Sequence, residues 1–171
     1  MDSIDQFANA ARAYRDWLME GSDEEEDAAA AGLIHLSRLL ATALALPALE
    51  FETPEIDAAD VPEDEWRRAF AAAGRLPVDL YKDLYDPEPD GTKEPVMGSL
   101  SDDLADIYGD VVRGLRAYEE KDIEAALWEW RFNFAHHWGA HATAAIRVLQ
   151  QWLQANAPHL LYQPLADSEE A

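Results

Sequence analysis

Two pairs of side chains with metal-binding or proton-transferring chemistry are spaced for one helix face each: Asp103 with Asp106, and His137 with His141. Residues three or four apart in a helix are neighbours on its surface, so each pair can address a single point. Two imidazoles with one or two carboxylates form a ligand set that zinc, manganese or iron accepts. Without a metal, the same groups could line a small-ligand pocket or act as a histidine–carboxylate base. A third reading is structural: His137 and His141 are buried and hydrogen-bonded to Asp103 or Asp106, while Arg131 pairs with Asp110, because a polar group on an apolar face needs a partner. All three readings remain open at the level of sequence. Metal-assisted hydrolysis would further require an open coordination position.

The elements that must bring these residues together are the last two helices. Asp122 is placed to cap a final helix that meets no breaker before Pro158 and should run to about Ala155. That is roughly 34 residues, or about 50 Å at 1.5 Å per residue; Gly139 inside it should cost only about 1 kcal/mol. The preceding helix is capped by Ser99 or Ser101, runs to about Glu120, and carries the core stripe Leu104, Ile107, Tyr108, Val111, Leu115 and Tyr118. A tight turn near Lys121 makes the two an αα-hairpin. Counting outward from the turn sets Asp106 level with residues 136–137, Asp103 with about 139–140, and Asp110 with about 132, since both helices rise equally per residue.

The final helix carries one apolar stripe through Ile123, Leu127, Trp130, Phe134, Trp138, Ala145, Leu149 and Trp152, with His141 near its centre. A second stripe, Trp128, Phe132, Ala135, Ile146 and Leu153, predicts cover on two sides. Glu129, Asn133, His136, Arg147 and Gln151 are left facing solvent, and the six tryptophans are expected in the core. His35 is a weaker candidate ligand on a helix of its own, and His159 lies beyond the last helix.

The rest of the chain is also helical in pattern. Val, Ile and Thr number only 16 of 171 residues, and no segment sustains a period of two. Ser3 and Gln6 resemble a capping box opening a helix over 4–20, which Gly21 ends. A second helix begins after Ser22 with the acidic run 24–27 in its first turn and continues to about Leu46; apolar nearly all round, it is expected at the centre. Residues 47–62 form a proline-containing surface connection, and Pro62 starts a third helix over 63–73. Residues 76–85 suggest a short helical turn, followed by an Asp86–Gly91 loop that could serve as a lid. The sum is an all-α fold: an antiparallel bundle of about five to six helices with a long C-terminal helix, in one domain over 1–171 with tails at 1–2 and 164–171.

Composition narrows function further. A net charge of −22 opposes phosphate-backbone binding, so nucleic acid is not an expected partner; a basic protein would suit the acidic shell. No cysteine is present, which removes disulfides, thiolate metal sites and cysteine nucleophiles. The acidic start and the short apolar runs predict no signal peptide or membrane span, hence a cytoplasmic protein. Phosphate-binding glycine loops, the Gly-x-Ser-x-Gly elbow and Glu-x-x-His pairs are absent, and no repeat of 20–50 residues is visible.

The segments Ser99-Leu-Ser-Asp-Asp-Leu-Ala-Asp-Ile-Tyr-Gly-Asp110 and Ala126-Leu-Trp-Glu-Trp-Arg-Phe-Asn-Phe-Ala-His-His-Trp-Gly-Ala-His141 resemble a bacterial family, domain of unknown function 5063. The resemblance centres on residues 99–150; the N-terminal half shares only length and helical character. It implies a bacterial, all-helical protein and brings no catalytic residue. The first functional expectation is therefore a non-catalytic interaction or structural domain. The alternative is a divalent-metal-binding protein or metal-dependent hydrolase using Asp103, Asp106, His137 and His141.

Overall fold

The computed structural model describes residues 2–21, 24–49, 58–84 and 94–162. The Asp86–Gly91 loop, much of the 47–62 connection and the 164–171 tail lie outside the described residues. The elements are α1 (Ser3–Glu20), α2 (Glu25–Leu44), α3 (Glu63–Ala73), β1 (Leu80–Asp83), β2 (Val96–Ser99), α4 (Leu100–Glu119), α5 (Ile123–Asn133), a π-helical turn (Phe134–Trp138), α6 (Gly139–Asn156) and a 3₁₀ turn (Pro158–Leu161). Among the described residues the protein is all-α apart from one two-stranded antiparallel ribbon.

Local signals set most boundaries. Asp2, rather than Ser3, caps α1, its Oδ1 accepting from the Asp5 N–H at 2.8 Å. Ser99 caps α4 through the Asp102 N–H, and Asp122 caps α5 through the Ala125 N–H. Between them Lys121 takes a left-handed φ of 71°, which reverses the chain between α4 and α5.

The central element is α4, which packs against α1, α3, α5 and α6; α2 was expected there but buries only one face, against α1 and α6. The α2 alanines Ala28, Ala29, Ala30 and Ala43 are buried, whereas Leu33, Ile34 and Leu40 are half-buried and Leu44 is exposed, so apolar content alone does not mark a central helix. Residues 80–83 form a strand rather than a helical turn, pairing Tyr81 with Gly98 and Asp83 with Val96. Their exposure alternates, but Leu80 faces out and Tyr81 in, so no apolar-polar period shows in the sequence. A β-carbon at Gly98 would lie 2.5 Å from the Tyr81 ring, so glycine here lets Tyr81 lie flat across its partner strand.

From Ile123 to Asn156 the chain forms the expected long rod, but the turn Phe134–Trp138 is π-helical. A π turn spends one more residue than an α turn and so displaces every later side chain. Gly139 closes it: a β-carbon there would sit 2.3 Å from the Phe134 carbonyl oxygen. On α5 the second apolar stripe stays partly exposed, with Trp128 and Phe132 stacked at 4.5 Å on the surface, because α2 packs against α6 and not α5. Trp130 and Trp138 are fully buried, Trp17 nearly so, while Trp66, Trp128 and Trp152 are half-buried.

Candidate functional site

Asp103, Asp106 and Asp110 lie along the face of α4 turned to the rod, and His137 and His141 face them from the π turn and α6. His141 Nδ1 lies 2.7 Å from Asp103 Oδ1, and His137 Nδ1 lies 2.7 Å from Asp110 Oδ2. An ionised carboxylate only accepts, so each contact places a proton on Nδ1, and in the neutral imidazole Nε2 then carries a lone pair. Both Nε2 atoms then face the same atom, Asp106 Oδ2, at 3.9 Å from His137 and 3.8 Å from His141. These separations are too long for hydrogen bonds. The other oxygen of Asp106 accepts from the Trp66 indole N–H at 3.0 Å, which fixes the carboxylate.

The paired carboxylates are buried, Asp103 at 5% and Asp110 at 8% exposure, whereas His137 is exposed. Hydrogen bonding to Asp103 raises the His141 pKa. Burial raises that of Asp110 despite the neighbouring His137. Asp102 is likewise raised, by burial and then by the charges of Asp106 and Asp103. Asp103 has a further partner in the Tyr81 hydroxyl, a short hydrogen bond from β1. Arg147 secures that strand, bonding Asp83 at 2.7 Å and lying over the Tyr81 ring.

The cluster is open on one side. A cleft of about 290 Å³ is lined by Asp60, Val61, Trp66, Asp106, Gly109, Asp110, Arg113 and His137. Arg113 bonds Glu129 at 3.3 Å and makes a short pair with Asp60.

The hairpin count thus brought the right residues together with two corrections. Asp110 pairs with His137, not Arg131; Arg131 turns to the end of α2, where its Nη1 lies 3.4 Å from the Ala43 carbonyl oxygen. Glu129, expected in solvent, is 2% exposed and accepts from both Arg113 and Asn133. His35 packs on Trp17, away from the cluster, and His159 lies near Glu26. The contacts of Trp66 and Tyr81 with the cluster had no signal in the sequence, since neither residue lies on the two helices that carry the spacing.

The family model described as "Domain of unknown function (DUF5063)" matches residues 1–155. The chain belongs to this family. The match extends well beyond the 99–150 core of the resemblance and takes in α1 to α3. Among solved structures, the crystal structure of protein BF1032 from Bacteroides fragilis is similar, with a TM-score of 0.72 and 20% identity over 88% of this chain and 91% of that one. That likeness shows a shared fold. No curated protein matches the chain. No helix among the described residues is long and apolar enough to cross a membrane.

Proposed function

We propose that this protein binds a divalent metal ion through Asp106 Oδ2, His137 Nε2 and His141 Nε2, with Asp103 and Asp110 as the outer carboxylates that orient the two imidazoles. The observation that carries this reading is the convergence of the two Nε2 atoms on one carboxylate oxygen, 3.9 and 3.8 Å away. Here each histidine has one nitrogen saturated and the other aimed at a common point, as in metal centres where a carboxylate holds the distal imidazole nitrogen. An ion bonded at about 2.1 Å to three atoms at tetrahedral angles separates them by roughly 3.4 Å, and the ligand atoms of the three residues lie within 4.8 Å of one another. Asp103, placed among the ligands by spacing alone, becomes a supporting residue in this reading.

Two histidines and one carboxylate suit iron(II), manganese or zinc, and they leave coordination positions open. The cleft adjoins those positions, which favours metal-assisted hydrolysis over a closed structural ion. Elemental analysis of protein purified from metal-replete medium tests the proposal. About one equivalent of metal is expected in the parent protein and none in His141→Ala with its helical circular dichroism intact. Metal-free parent protein under those conditions would overturn it.

A further inference from the structure

The cleft next to the cluster holds one permanently cationic side chain, Arg113, and the way it is held indicates a ligand. Its Nη1 bonds Glu129, which is 2% exposed and anchored again by Asn133, so the inner side of the guanidinium is fixed. Its Nη2 meets Asp60, whose side chain is 81% exposed and belongs to no helix or strand. The two partners differ in energetic weight. Removing the buried carboxylate would strand a charge, whereas an exposed ion pair contributes little and can be exchanged for another anion at small cost. A planar guanidinium accepts carboxylate or phosphate oxygens equally well, and Asp60 already shows an oxyanion seated there.

Resting on the metal-binding reading above, we propose that the cleft takes a small oxyanionic group, phosphate or carboxylate, that ligates the ion and displaces Asp60 from Arg113. Asp106 and His137 line the cleft together with Arg113, so one ligand spans both cations without leaving it. A volume of about 290 Å³ admits a small molecule. The net charge of −22 repels anions at long range, but that repulsion is screened beyond about 8 Å at physiological salt. Inside the cleft, direct bonds to a dication and a guanidinium decide.

Cobalt(II) provides a visible probe. The protein is loaded with cobalt, its stoichiometry measured, and inorganic phosphate or acetate titrated in while the cobalt absorption is followed. At least one of the two anions should shift the bands in the parent protein. Arg113→Gln should keep its cobalt and weaken anion binding by about tenfold, the equivalent of one charge-assisted hydrogen bond. Asp60→Asn, at an exposed position, should tighten anion binding several-fold, and this variant decides the matter should Arg113→Gln fail to fold. Cobalt binding with no response to either anion, or equal anion affinity in the parent and Asp60→Asn proteins, would overturn the proposal while leaving the metal site standing. Failure to bind cobalt at all would overturn both.

Discussion

The two sides of α4 handle buried polarity in opposite ways. Where α4 meets α1, each polar contact is closed: the Tyr14 hydroxyl donates to the Leu104 carbonyl at 2.8 Å, Tyr118 donates to Asp5, and Arg12 pairs with Glu119. Phe7, Tyr14 and Leu18 around them are fully buried. Where α4 meets the π turn and α6, Asp103 is held at both oxygens and Asp106, Asp110, His137 and His141 at one atom each, and the two Nε2 atoms lie 3.9 and 3.8 Å from Asp106 Oδ2. Saturated polar groups lock helices together. Groups that are oriented but unsaturated have the form of a binding site.

Substitutions can separate the two sides. The largest stability loss should come from Tyr14→Ala, about 3–5 kcal/mol for removal of a buried aromatic ring, measured by urea unfolding with metal stoichiometry unchanged. Next is a gain that one carboxylate controls. Metal at 100 times its dissociation constant should stabilise the parent protein by about 2.7 kcal/mol, read as a rise in Tm, and should leave Asp106→Ala unmoved. A comparable rise in that variant would place the ion elsewhere.

Gly139→Ala reverses the usual sign. In an ordinary helix the change stabilises by about 1 kcal/mol, but here the new methyl meets the Phe134 carbonyl oxygen. A loss of stability together with weaker metal binding is expected, and a simple gain would show that the π turn does not depend on glycine. The smallest effect concerns α3. Burial opposes ionisation of Glu65, but hydrogen bonds from Tyr108 and Arg116 prevail and hold its pKa below the ordinary value of 4.5. A lowered carboxylate contributes stability that is present above its unfolded pKa and lost as pH falls through the folded one. The stability difference between the parent protein and Glu65→Gln should therefore shrink below about pH 4.5 in urea unfolding at stepped pH.

Several features of the site were legible because they follow from local rules. The caps at Ser99 and Asp122 are set by side chains within three residues of the amides they bind, and the tight turn at Lys121 allowed Asp103 to be set level with about 139–140, next to the His141 it meets. The count failed at Asp110 because it levels backbone positions and does not say where a side chain reaches: Arg131 bonds the Ala43 carbonyl and His137 meets Asp110. The exposure of Glu129 was misjudged for a similar reason: its partner, Arg113, lies on the neighbouring helix, and a helical wheel knows nothing of neighbours.

By itself, then, the sequence determined an all-helical chain, its main helix limits and the two helices on which the histidines and aspartates stand, since periodicity and capping act over a few residues. Only tertiary structure decided that Trp66 from α3 would clamp Asp106, that Tyr81 from an unforeseen strand would reach Asp103, and that a cleft would open beside them. Those contacts join residues 40 and 22 positions apart. No local propensity encodes them, because they depend on how separately formed elements pack.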